Sequence, residues 1–110
     1  MSEHAPLPFD LDTLVVDDVA VVRIAGDLDA AASTRLLDAV DKVMGWQPRR
    51  IDIDASAVPF IDSAGLRVLL QCHARARRES VELRIVEPSP EVIRLLTMTG
   101  LDDVLLFGIG

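Results

Sequence analysis

The residues best suited to chemistry lie in one stretch, Ile53-Asp54-Ala55-Ser56-Ala57-Val58-Pro59-Phe60-Ile61-Asp62-Ser63-Ala64-Gly65-Leu66. Ile51, Ile53 and Ala55 alternate with Asp52, Asp54 and Ser56, which predicts a strand that Pro59 ends. Asp62 or Ser63 then caps a helix. Ser63 therefore falls at a loop-to-helix junction, where backbone N–H groups lack intrahelical partners and the dipole is positive. A hydroxyl there has two uses. It can serve as an N-cap, or it can carry a covalent phosphate that the N–H groups of Gly65 and Leu66 would receive. Gly65, lacking a side chain, leaves room for a partner's backbone. Spacing alone leaves both readings of Ser63 open.

Little else in the chain offers chemistry. The only histidines are His4 and His73, far apart and outside any paired motif, so no metal site is expected. The single cysteine, Cys72, can form no internal disulfide and suits a reducing compartment. Neither a Ser/His/Asp arrangement nor a Gly-rich phosphate loop is visible, which argues against an enzyme, and no cofactor is expected. A net charge of −7 and a pI near 4.6 disfavour direct nucleic-acid binding. Basic residues cluster at Arg49-Arg50 and at Arg75, Arg77 and Arg78, as a solvated helix face or as a patch for an acidic partner. The N-terminus lacks a basic start and a long apolar run, and no stretch approaches a membrane span. A soluble, cytoplasmic protein with no membrane insertion is the expectation.

The elements that must position Ser63 follow from periodicity. Residues 1 to about 10, with Pro6 and Pro8, read as a flexible tail, and residues 11–110 as a single domain. Leu14-Val15-Val16 and Val19 to Ala25 flank Asp17-Asp18, which predicts a hairpin, although Asp-Asp is a weaker turn signal than Asn-Gly. Asp29 caps a helix whose apolar face holds Leu36, Leu37, Val40, Val43 and Met44, and Gly45 stops it. Trp46, just past that stop, reads as a lid on the core, with ligand stacking as the alternative. The helix after Ser63 runs to about Glu79 with Leu66, Leu69, Leu70, His73 and Ala76 as its buried stripe. Val81 to Val86 is a further strand. Ser89-Pro90 opens a helix with Val92, Ile93, Leu95 and Leu96 inward, and Gly100 ends it. Leu101 to Phe107 forms a short strand or helical turn, and Gly108-Ile109-Gly110 frays. Strands joined through helices pair in parallel with right-handed crossovers. The expected fold is α/β: a small, mixed, mostly parallel sheet of about four to five strands with helices packed on it.

On these residues the chain resembles the STAS family, named for sulphate transporters and anti-sigma factor antagonists. Asp54, Ser56-Ala57-Val58, Phe60, Asp62, Ser63, Gly65 and Leu66 match its signature in register. Gly26-Asp27-Leu28-Asp29 is similar to the motif ahead of the family's first helix, and Leu96 through Leu106 to its closing segment. Together the motifs span about Leu14 to Phe107. The resemblance implies an anti-sigma factor antagonist that works by partner switching. In such proteins the unphosphorylated domain binds an anti-sigma factor with serine kinase activity and frees a sigma factor. Phosphorylation releases the antagonist, and a phosphatase resets it. Carried over, Ser63 is the phosphoacceptor, and Asp27, Asp62, Ser63, Ala64 and Gly65 form the partner-binding face. Asp62 orients the hydroxyl or meets the kinase, or is only a cap. Asp27 and Asp29 can likewise be helix-start acids. Ala64 stands where relatives often carry a second hydroxyl, so Ser63 is the one acceptor. The alternative is a STAS module that does not switch, such as a subunit docking on a membrane transport ATPase or a signalling scaffold piece.

Overall fold

The computed structural model describes residues 7–106. In order along the chain, these form β1 (Asp10–Val16), β2 (Val19–Ala25), α1 (Ala30–Met44), β3 (Arg50–Ala57), α2 (Ser63–Arg77), β4 (Glu82–Val86), α3 (Pro90–Thr99) and α4 (Asp102–Leu106). One sheet runs in the order β1-β2-β3-β4. The first pair is antiparallel and the other two are parallel. Asp17 and Asp18 make the hairpin turn with φ of 52° and 64°. Positive φ at both central residues matches the twist of the strands, and Asp tolerates it better than most residues.

Each parallel pair is joined through a helix, so α1 and α2 lie side by side on one face of the sheet. Ile51, Ile53, Ala55, Leu83 and Ile85 point into that layer and are buried. Leu36, Val40, Val43, Leu69 and Cys72 meet them from the helices. Each fully buried aliphatic side chain contributes about 1.5–3 kcal/mol to this layer. The opposite face is polar. There the Asp52 carboxylate accepts from Arg50 Nε at 2.9 Å and from Arg84 Nε at 3.3 Å.

Sequence periodicity and structure differ in several places. The buried stripe of α2 is Gly65, Leu66, Val68, Leu69, Cys72 and Ala76, with Leu70 and His73 only half-buried. The helix is turned toward Val68 and Cys72 because it must pack on α1 as well as on the sheet. Ile93 is exposed rather than inward, since α3 makes its contact through Val92 and Leu96. Trp46 is 42% exposed and is no lid; the Lys42 ammonium sits 5.8 Å from its ring centre. The closing segment is helical, as one of its two expected forms. Of the expected tail, residues 1–6 lie outside the described residues, and so does the expected fraying of Gly108-Ile109-Gly110. Leu7 to Phe9 are held against the domain: the Asp27 N–H donates to the Leu7 carbonyl at 3.2 Å, and Arg35 bonds the Phe9 carbonyl while lying over its ring.

Candidate functional site

Two strand-to-helix turns build the site, and they lie against each other. Leu28 in the β2–α1 turn pairs in parallel with Ile61 in the β3–α2 turn. The Leu28 N–H donates to the Phe60 carbonyl at 2.9 Å, and the Gly26 N–H to the Ala57 carbonyl at 3.0 Å. Leu28 itself is fully buried. Two segments far apart in sequence therefore form one rigid ledge at the ends of the central strands.

Asp62 is the N-cap of α2. Its backbone is extended (φ −114°), its Oδ1 accepts the Gly65 N–H at 2.9 Å, and its carbonyl accepts the Leu66 N–H at 2.9 Å. This decides between the two cap candidates. Ser63 is the first helical residue, exposed, and is not the cap. It also revises the expected phosphate contacts, because the N–H groups of Gly65 and Leu66 are already committed to Asp62. What remains for a charge on Ser63 is the positive helix end and the exposed Arg67, one turn along on the same side.

Gly65 also has a different role from the one its spacing suggested. A Cβ at this buried position would lie 2.1 Å from the Leu28 carbonyl oxygen and 3.0 Å from Ile61 Cγ1. The backbone it admits is the chain's own. Without that close approach the start of α2 could not seat on the β2–α1 turn. Ala64, beside Ser63, is half-buried.

Asp27 is brought next to the site but faces inward. It is 5% exposed, and its Oδ2 accepts the Leu7 N–H at 3.1 Å. Its carboxylate braces the N-terminal segment against the turn, so the structure does not offer it as a surface contact. Gly26 beside it has φ +87°, and a Cβ there would lie 2.0 Å from the Pro8 carbonyl oxygen. Asp29 caps α1, with its Oδ1 accepting the N–H groups of Ala31 at 3.0 Å and Ala32 at 3.2 Å. Asp54, from the same signature, accepts the Ser56 N–H at 3.0 Å and the Ser56 hydroxyl at 2.8 Å, which ends β3 in a local turn.

Sequence reasoning left Leu7 in the expected tail and gave Leu28 and Ile61, though inside the quoted motifs, no role of their own. Leu28 and Ile61 act through backbone pairing, which leaves no side-chain signature. Elsewhere on α2, burial and the Asp41 charge push the Cys72 thiol up to about 12, so it is no nucleophile. Burial and then Arg77 lower the basicity of His73. No group of His, Cys, Asp and Glu suited to a metal occurs among the described residues. No helix among them is long and apolar enough to cross a membrane.

A four-stranded mixed sheet with helices on one face, and an exposed serine at the start of α2, defines a small α/β domain. The chain belongs to the STAS domain family, whose model matches residues 10–108. It is similar to the anti-sigma-F factor antagonist RsfB of Mycobacterium tuberculosis, at 32% identity over 96 residues, covering 84% of this chain and 78% of RsfB. The anti-sigma-B factor antagonist of Listeria monocytogenes is 28% identical over 84 residues, covering 76% of this chain and 74% of that protein. Among solved structures, an anti-sigma factor antagonist from Mycobacterium paratuberculosis aligns with a TM-score of 0.76 at 27% identity, over 92% of this chain and 86% of that one. Unphosphorylated SpoIIAA shares the fold, with a TM-score of 0.71 at 22% identity over 90% of this chain and 86% of its own.

Proposed function

We propose that this protein is an anti-sigma factor antagonist that works by partner switching, with Ser63 as its phosphoacceptor. The observation that carries the reading is the setting of Ser63: an exposed hydroxyl whose helix is capped by a different residue, Asp62. The hydroxyl is therefore dispensable to the fold and available to an enzyme. The names of the similar proteins support the same class of function. The partner is an anti-sigma factor with serine kinase activity, a phosphatase resets the cycle, and the exchange takes place in the cytoplasm.

Release follows from electrostatics. A phosphate adds nearly two negative charges at neutral pH. They would appear beside Asp62 on a chain already at −7. A partner surface fitted to a neutral hydroxyl must then bury or repel that charge, which costs about 4 kcal/mol, on the order of a thousandfold in affinity. The domain itself keeps its fold, because the helix start favours negative charge and Arg67 lies one turn away.

The test is an affinity experiment in lysate of the source organism with the wild type, Ser63→Ala and Ser63→Asp as baits, and mass spectrometry of what they retain. An anti-sigma factor of the kinase type held by the wild type and Ser63→Ala but lost from Ser63→Asp is the expected result. Retention of one partner by all three forms would contradict the switch. A transport ATPase or scaffold component in its place would identify the non-switching role.

A further inference from the structure

The two edges of the sheet are protected unequally. At one edge β4 is only five residues long, and α4 packs against it. At the other edge lies β1, seven residues long, with no strand beyond it among the described residues. In a two-residue hairpin closed by Val16 and Val19, Asp10, Asp12, Leu14 and Val16 bond to β2, while Leu11, Thr13 and Val15 turn their N–H and C=O groups outward. Side chains cap the first part of this edge. The Asp10 carboxylate accepts the Leu11 N–H at 2.9 Å, and Arg35 bonds the Phe9 carbonyl. The outward groups of Thr13 and Val15 have no such cap among the described residues. This second part of the edge is also apolar and open, with Val15 48% and Val16 52% exposed.

We propose that the uncapped part of β1 pairs, antiparallel, with the same edge of a second copy, joining the two sheets across a twofold axis. The edge is complementary to itself in one register. With Leu14 opposite Leu14 of the second copy, Thr13 and Val15 fall opposite each other, and the uncapped groups of both chains satisfy one another. Asp12 then lies opposite Val16, so no carboxylate opposes another within the paired stretch. Parallel pairing in register would instead set Asp10 on Asp10 and Asp12 on Asp12. Val15 pairs with the buried Ala20 and so lies on the α1 side of the sheet. Val15 of each copy enters a groove that the other offers between β1 and α1, lined by Leu11, Thr13, Arg35, Asp38, Ala39 and Lys42 among others. Charge fits as well. Asp17 and Asp18 make no ion pair among the described residues, and the pairing brings them beside the second copy's Arg35, which Asp10 holds only loosely at 3.7 Å. A foreign strand would meet the same backbone groups without this match of side chains. The contact is short, so the dimer is weak, with a dissociation constant on the order of 10–100 µM. The two Ser63 sites lie at opposite ends of the pair, away from the joined edges, and both stay open.

The test is sedimentation equilibrium of the full chain over a concentration series up to about 1 mM, well above the expected dissociation constant. The forms compared are wild type, Val15→Lys, which places a charge on the open edge, and Asp17→Asn, which keeps a residue that tolerates the turn's positive φ. Val15→Lys is expected to weaken the dimer at least tenfold and Asp17→Asn about threefold, both with unchanged thermal midpoints because both positions are exposed. Leu14→Cys and Asp12→Cys fix the register. Position 14 meets its own copy as a closely spaced, non-hydrogen-bonded pair, so mild oxidation should link Leu14→Cys into a disulfide dimer and leave Asp12→Cys monomeric on a non-reducing gel. The native Cys72 is buried and does not compete. A wild type that stays monomeric throughout the series overturns the proposal. So does a dimer that Val15→Lys leaves intact, because its interface then lies elsewhere, and so does cross-linking of Asp12→Cys in preference to Leu14→Cys. A monomer whose Val15→Lys form loses a protein that wild type retains from lysate would make the occupant a foreign strand, and the second copy would be rejected.

Discussion

The β2–α1 and β3–α2 turns are built on one plan and put to opposite uses. Each delivers a strand into a helix through an extended Asp cap, Asp29 in one and Asp62 in the other. Each leaves the first helical residue, Ala30 or Ser63, exposed. In the β2–α1 turn everything else is turned inward: Asp27 braces Leu7, Leu28 is fully buried, and Gly26 admits the Pro8 backbone. In the β3–α2 turn the exposed first residue carries a hydroxyl. The difference teaches that the first turn is the anvil for the second. A residue whose chemistry must change without disturbing the fold is safest where the fold asks nothing of it, on a support that cannot shift.

That contrast can be broken most severely at the contact between the turns. Gly65→Ala puts a Cβ 2.1 Å from the Leu28 carbonyl oxygen, and should cost about 3 kcal/mol of stability by urea denaturation. It should also unseat Ser63, so loss of partner binding in this variant would follow from loss of the frame.

Next is Asp27→Ala, which removes a buried acceptor from the Leu7 N–H and should cost about 2 kcal/mol. If Asp27 were a surface contact instead, the variant would keep its denaturation midpoint and lose only affinity. The two caps should be nearly equal, with Asp29→Ala and Asp62→Ala each losing about 1 kcal/mol. A much larger loss at either would mean that the turns are not equivalent supports. Ser63→Ala sharpens the comparison from the other side: its stability should stay within about 0.5 kcal/mol of wild type.

The smallest effect at neutral pH belongs to the buried side of α2. The Cys72 thiol, raised from 9.0 to about 12 by burial and then by Asp41, stays protonated in the folded protein when the unfolded chain has begun to ionise. Its contribution is therefore complete below pH 9 and lost as pH rises from there toward 12. The wild type should lose stability across this window more steeply than Cys72→Ala, with no difference between their slopes at pH 7. A thiol reagent should modify Cys72 only on unfolding.

The parts of this design that were legible in sequence are those set by neighbours along the chain. Asp29, Ser89 with Pro90, and Gly100 (φ 73°) act within one helical turn, so their types alone mark the ends of α1 and α3. The strand alternation of Ile51, Ile53 and Ala55 was readable for the same reason. What escaped depends on contacts between distant segments. The rotation of α2 toward Val68 and Cys72 is decided by α1, and the exposure of Trp46 by its place past the end of α1, where the Lys42 ammonium rather than the core meets its ring. At the site, Ser63 and Asp62 could be singled out, but which of them caps the helix could not. Asp27 was placed on the partner face by resemblance, or taken as a helix-start acid, because nothing in its own neighbourhood announces that Leu7 will fold back over it. Gly65 was marked for the room it leaves a partner's backbone, while its close approach to the Leu28 carbonyl depends on a segment distant in sequence.

The account stands or falls on phospho-Ser63 itself. Protein carrying phosphoserine at position 63 should be compared with unmodified protein for thermal midpoint and for affinity toward its anti-sigma factor. The account predicts an unchanged midpoint and an affinity lower by about a thousandfold. Equal affinity of the two forms, or a phosphorylated domain that melts well below the unmodified one, would contradict it.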